Sequence, residues 1–301
     1  TITLSTASVN NTGTISNTGT GAGTSTISAA VGSNVTAITE NSATSALTVS
    51  GALTVNAGGT TLTNSNASGS ALLTVSGGIT GTGNVVLNNN SAIANGVTVS
   101  GTSVNNVGTV TNSGTGTGAT AISAVIGTNV TGVVENSATS TLTLSGANTF
   151  SGGTTIKSGT AAGTVAAAFG TGTITIGDTS GSANATLSGG LAGTFTNAIS
   201  VASGNTGTAK ITDSAASIFS GAVTLNNHDL VLAPAASALT LSGGVTGTGN
   251  LSLATTGAGT ITLSTASVNN TGTISNTGTG AGTSTISAAV GSNVTAITEN
   301  S

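Results

Sequence analysis

Leu73-Thr-Val-Ser-Gly-Gly-Ile-Thr-Gly-Thr-Gly-Asn84 returns, with two aliphatic exchanges, as Leu239-Thr-Leu-Ser-Gly-Gly-Val-Thr-Gly-Thr-Gly-Asn250. In both, apolar residues fall at every second position and Thr or Ser between them. That period of two is the mark of a strand with one face buried and one face open. The Gly-Gly that follows supplies a turn, because glycine adopts positive φ at little cost. The same short run recurs as Leu47-Thr-Val-Ser50, Val97-Thr-Val-Ser100, Leu142-Thr-Leu-Ser145 and Ile174-Thr-Ile-Gly177. β-Branched Val, Ile and Thr suit the pleated surface. No segment carries a helical period beyond one turn; the nearest is Val165–Phe169, which Gly170 ends.

Working outward, longer repeats organise the chain. Residues 260–301 repeat residues 1–42 letter for letter, and a diverged copy starts at Gly96. It keeps Ser103-Val-Asn-Asn106 and Glu135-Asn-Ser-Ala-Thr-Ser140. In such an array each unit buries its apolar face against its neighbours. The sequence reads as one continuous solenoid segment, 1–301, of a longer array with a larger unit of 259 residues.

Composition narrows the architecture. The 301 residues include 47 Gly, four Phe, one His and one Pro, with no Cys, Met, Trp or Tyr. Only 3% of positions are charged, and the formal net charge is -4. Two basic residues cannot neutralise a phosphate backbone, which argues against nucleic acid as a partner. Without cysteine there are no disulfides and no thiolate metal sites. No apolar run is long enough for a membrane helix, and a membrane barrel would want the Trp and Tyr girdles missing here. Charge-driven disorder needs low hydropathy and high net charge, whereas mean hydropathy is +0.37. A β-sandwich core wants bulky residues. The narrow interior of a β-solenoid is filled by Val, Ile, Leu, Ala, Ser and Thr. Coils stacked at about 4.8 Å place like on like, so that Asn or Thr ladders satisfy one another along the axis. A coil of roughly 20 residues is the expectation.

One stretch is specific. Leu142-Thr-Leu-Ser-Gly-Ala-Asn-Thr-Phe-Ser-Gly-Gly-Thr-Thr-Ile-Lys-Ser-Gly-Thr160 closely resembles the autotransporter-associated β-strand repeat of bacterial passenger domains. Phe150 takes the aromatic place of that motif. The resemblance implies a right-handed parallel β-helix, exported and displayed on or released from a bacterial surface. It does not imply an enzyme. Beyond residues 142–160 the likeness is one of composition and rhythm.

Candidate chemistry is sparse. His228-Asp229 is the one His–acid neighbour pair, but adjacent strand residues point to opposite faces, and a turn after Asn226-Asn227 explains them. Asp178, Asp213 and Asp229 are the acids that stacking would have to gather for glycoside chemistry, which needs two carboxyls at a set separation. The Gly-Gly pairs at Gly77 and Gly152 lack the Asp that calcium-binding β-rolls require. Glu40, Glu135 and Glu299 occupy equivalent places in three copies of one motif. They are expected at an exposed corner, limiting lateral association together with Lys157 and Lys210. Asn10, Asn34 and Asn66 fit the glycosylation acceptor pattern, as chance allows in so Asn-rich a chain. Thr-Gly-Thr pairs at Thr12 and Thr18 raise ice binding, without a strict short period. No catalytic, cofactor-binding or metal residue is therefore assigned, and no cofactor.

The expectation is an extracellular or cell-surface structural repeat protein that forms or stiffens a filament, sheath or fibre. The alternative is the stalk of an adhesin with its binding tip elsewhere in the parent chain. Ice-binding and polysaccharide-active helices rank below both. The expected partners are copies of itself, side by side or end to end, and then a host surface or extracellular polysaccharide.

Overall fold

The computed structural model describes residues 1–301. It is all-β, without a helix, and its parallel strands stack in about 13 turns of a β-solenoid. The chain divides into two compact units, Thr1–Gly152 and Gly153–Ser301.

In the first unit each coil lays down three strand segments. The first face holds Ile2–Leu4, Ser25–Ile27, Leu47–Val49, Leu73–Val75, Val97–Val99, Thr120–Ile122 and Leu142–Leu144. These pair in parallel, residue on residue. Their starting numbers give coils of 22 to 26 residues, longer than expected, because three strand segments and a wide corner must fit in each. A short second face carries Leu53–Val55, Ile79–Gly81, Ser103–Val104 and Val125–Ile126. The third face carries Gly13–Asn17, Val35–Glu40, Thr60–Asn64, Val85–Asn89, Gly108–Asn112 and Val130–Asn136.

The period of two is visible in the packing. Leu47, Val49, Leu73, Val75, Val97 and Val99 all point inward and are buried, while the Thr between each pair is half-buried on the outside. Each inward aliphatic contributes about 2 kcal/mol by leaving water. After the strand, glycine is required for a steric reason: a Cβ at Gly77 would run into the carbonyl oxygen of Gly51 in the coil before it. Gly78 then turns the chain at φ 86°.

The second unit uses the same construction. Ile174–Ile176, Ile199–Val201, Val223–Asn226 and Val245–Thr248 form one column of strands. Gly193–Phe195, Ser217–Phe219, Ala238–Leu241, Thr260–Leu263 and Ser284–Ile286 form another. Its core is bulkier at one end. Phe169, Phe195 and Phe219 lie one above another, with ring centroids 5.5 and 5.1 Å apart. Val165–Phe169 is a turn rather than a helix: Ala168 N–H donates to Val165 and Gly170 N–H to Ala167. Gly244, like Gly78, turns at positive φ.

The two identical 42-residue copies fold alike. Gly13–Asn17 pairs with Val35–Glu40 through the same register, with the same irregularity after its first residue, as Gly272–Asn276 pairs with Val294–Glu299.

Candidate functional site

The chemistry of the first unit is gathered at one corner, where the third face ends and the chain turns back. Asn17, Glu40, Asn64 and Asn89 stand in register there, pointing inward. Asn112 and Glu135 form a second such pair. All six are buried. Sequence reasoning placed Glu40 and Glu135 at an exposed corner; the structure overturns this, since neither has any exposed surface. They end strands whose alternation turns every second residue inward, and the corner continues that alternation by one step.

Each acid is held from two sides. Glu40 Oε2 accepts from Asn17 Nδ2 at 2.7 Å, and Oε1 accepts from the Ser42 amide at 2.6 Å. Glu135 repeats this with Asn112 Nδ2 at 2.7 Å and the Ser137 amide at 2.6 Å. The serine hydroxyl then receives the amide three residues on, Ser45 in one copy and Ser140 in the other. It donates in turn to a carbonyl of the preceding coil, Gly19 or Gly114. Glu-Asn-Ser-Ala-Thr-Ser is thus a corner staple, and each residue of Glu-x-Ser-x-x-Ser has a bonding role. The asparagines of the column do related work. Asn64 Nδ2 donates to the carbonyls of Ala71 and Gly96, and Asn89 Nδ2 to those of Gly118 and Ala119. These ladders therefore do not mainly satisfy one another, as expected from sequence; they donate to backbone carbonyls around the corner, among them that of Gly96, which also accepts from the Leu73 amide.

The acids have unusual electrostatics because no cation faces them. Burial pushes the Glu135 carboxyl up to about 9, against the opposing pull of the Asn112 side chain and the Ser137 and Leu142 amides. Burial likewise raises Glu40, with Asn17 and Ser42 opposing. A neutral acid needs an acceptor for its proton, and Asn112 Oδ1 is buried without a partner. A flip of the Asn112 amide would turn that oxygen toward Glu135. Glu299, in the last coil and exposed, behaves oppositely. Hydrogen bonds from the Ser301 hydroxyl and Asn276 hold its carboxyl below the usual range. The three equivalent glutamates thus differ in what covers them.

In the second unit Asp178, Asp213 and Asp229 are kept in separate settings. Asp178 lies at the surface, 3.5 Å from Lys157 Nζ. Asp213 is buried at a corner, both oxygens without a hydrogen-bond partner. Burial raises it to about 6, partly offset by the nearby amides of Ser217 and of Asp213 itself. Asp229 is exposed and accepts from the Asn250 amide and Nδ2 at 2.7 and 3.2 Å. His228 does not meet the Asp229 carboxylate; its Nδ1 lies 2.8 Å from the Asp229 carbonyl oxygen, in the bend after Asn227, whose φ is 57°. A shallow open depression runs beside them, lined by Asn205, Thr206, Thr208 and Asn227. No three metal-ligating side chains come together. Of the acceptor asparagines named above, Asn66 is buried, while Asn10 and Asn34 are exposed.

One regularity escaped the sequence reading. The Thr column of the first unit runs across coils rather than along the chain: Thr3, Thr26, Thr48, Thr74 and Thr98 are register partners, followed by Ala121 and Thr143. A serine stands two residues after each, from Ser5 to Ser145. Coils of unequal length hide this period in the sequence. The first unit has only Glu40 and Glu135 as charged side chains, and both are inside, so its outward side chains carry no charge.

No protein-family model, no curated protein and no solved structure matches this chain.

Proposed function

We propose that this is an extracellular structural repeat protein that forms or stiffens a bacterial surface filament, sheath or fibre. The observation that carries the proposal is the placement of charge in the first unit. Its two acids are folded inward, where they staple corners, and the outward faces are left to Thr and Ser. Charge on outward strands normally keeps protein surfaces apart. A surface without it favours close packing against neutral material, including copies of itself. The resemblance of residues 142–160 to passenger-domain repeats supports an exported setting. The dispersed acids of the second unit support a non-enzymatic role, because glycoside chemistry needs two carboxyls held around one bond.

The test is electron cryo-microscopy of the native assembly at the cell surface. Fibres with a layer spacing of about 4.8 Å, containing this chain packed against copies of itself, are the expected result. Isolated single particles, each carrying a distinct tip, would overturn the filament reading in favour of an adhesin stalk.

A further inference from the structure

We propose that Asn34 and Asn129 are N-glycosylation sites, each taking a sugar from an activated glycosyl diphosphate onto its side-chain nitrogen. The inference goes beyond the structural reading above and rests on it for its extracellular setting. Asn-x-Ser and Asn-x-Thr acceptor triplets occur along the whole chain, and the fold sorts them. Asn66 and Asn89 are buried at the corner, where no sugar could stand in the folded chain. Asn10, Asn184, Asn250 and Asn269 give their side-chain oxygens to the following coil. These accept from the amides of Asn34, Thr208, Thr273 and Asn293 at 2.8 to 3.0 Å. Asn34 and Asn129 differ from all of these. Both are exposed although a coil lies on each side of them, and neither side chain makes a hydrogen bond. Asn293, in the last coil, is the letter-for-letter copy of Asn34.

The two are presented in the same way. Each stands third in a four-residue turn, residues 32–35 and 127–130. The Val35 amide closes the first on the Gly32 carbonyl and the Val130 amide the second on the Gly127 carbonyl, both at 3.2 Å. The turn is also pinned from the coil before: the Asn34 amide donates to Asn10 Oδ1 at 2.9 Å, and the Asn129 amide to Asn105 Oδ1 at 3.0 Å. The backbone is thus fixed while the side-chain nitrogen is left outside. The threonines that complete the triplets, Thr36 and Thr131, are exposed too. Val31, Leu53, Ile79, Val104 and Ile126 pair in succession up the second face. Asn34 and Asn129 therefore project from one corner four coils apart, about 19 Å at the ordinary strand spacing, which leaves room for a sugar on each. Beside Asn34 a shallow open depression, lined by Thr54, Asn56 and Thr82, offers the first sugar polar partners. In the step itself Nδ2 bonds to the anomeric carbon of the donor. The bond from that carbon to the diphosphate breaks, its electron pair leaves on the phosphate oxygen, and one amide proton is released.

The test is mass spectrometry of the chain isolated from its native cell surface, intact and after digestion with a protease of broad specificity. Hexose or N-acetylhexosamine additions on the peptides spanning residues 32–38 and 127–133 are expected. One sugar per site would assign a nucleotide-linked donor, and a uniform block of several a lipid-linked one; either supports the proposal. Asn34→Gln and Asn129→Gln should each remove one addition and leave circular dichroism unchanged, because both side chains face solvent. Thr36→Val should lose the sugar at Asn34 and Thr36→Ser should keep it, since the acceptor pattern needs the hydroxyl. An unmodified Asn34 or Asn129 in the surface-isolated chain, or sugar at the buried or bonded asparagines in their place, overturns the proposal. Native fibres built from unmodified chain would sink the glycosylation and spare the structural reading. Sugar-bearing chain found only as isolated single particles with a distinct tip would do the reverse.

Discussion

Glu135→Gln isolates the electrostatics of the corner. The wild-type carboxyl is ordinary when unfolded, near 4.5, and rises to about 9 when folded. The folded state therefore binds a proton that the unfolded state has released across that window. The associated stability is complete below about pH 4.5 and is lost as pH rises toward 9. Each pH unit in the window costs about 1.4 kcal/mol, so moving from about pH 5 to about pH 8 removes about 4 kcal/mol through this one residue. Gln keeps an acceptor oxygen and a donor group in place of the protonated acid's carbonyl and hydroxyl, but does not titrate. At acid pH the variant should match wild type to within about 1–2 kcal/mol, the scale of one imperfect buried hydrogen bond. At alkaline pH it should be the more stable by several kcal/mol. Urea denaturation of both proteins at three pH values, followed by circular dichroism, measures the difference. Taking the difference removes the contributions of Glu40 and Asp213, which run in the same direction because burial raises them too. A wild-type-minus-variant difference that does not change with pH, or that favours wild type as pH rises, would refute the desolvation argument.

Three further outcomes test the packing. Gly77→Ala should destabilise by at least about 1–3 kcal/mol, read from the urea midpoint, because its methyl group meets the backbone carbonyl of Gly51, which no rotamer can move. Asn64→Ala should cost about 1–3 kcal/mol, since it removes the side-chain donor to the Ala71 carbonyl at a buried corner, while Gly96 keeps the Leu73 amide; hydrogen exchange should rise first at residues 65–72. Phe195→Ala, in the middle of the three-ring stack, should cost about 3–5 kcal/mol, and filling the gap with Leu should recover part of it.

The strands were legible because their signal is local. Leu-Thr-Val-Ser states which side chains face in, and Gly-Gly states where the chain turns, without reference to other coils. The corner was not legible for the opposite reason. Glu40-Asn41-Ser42 looks polar, and polar residues after a strand usually face water. Nothing within those letters says that the alternation carries one step further and turns the carboxyl inward. The signal that could have revealed it is vertical: Glu40 shares a register column with Asn17, Asn64 and Asn89, and Glu135 pairs with Asn112, and a column mixing Asn with Glu marks an interior polar site. The Thr column was hidden likewise. Thr48 and Thr74 are neighbours in space, but 22- to 26-residue coils give no fixed spacing to find.

The repeated 42 residues separate what a motif encodes from what its neighbours impose. Asn17 with Glu40 and Asn276 with Glu299 share sequence, register and the bonds from the asparagine and the serine amide, but the Ser42 hydroxyl donates to the Gly19 carbonyl while the Ser301 hydroxyl donates to Glu299. Both carboxylates thus have an asparagine and a serine amide as donors, and Glu299 has a serine hydroxyl in addition. Yet burial dominates at Glu40 and raises it, whereas the hydrogen bonds dominate at Glu299 and lower it. Two differences set the sign: residues 60–64 cover Glu40, whereas Glu299 is exposed and gains the Ser301 hydroxyl as a further donor. A coil added on top would convert Glu299 from an acid that favours its ionised form into one that favours its proton. At Glu40, whose cover is in place, the stability contributed by the bound proton is present below the ordinary carboxylate range and is lost as pH rises.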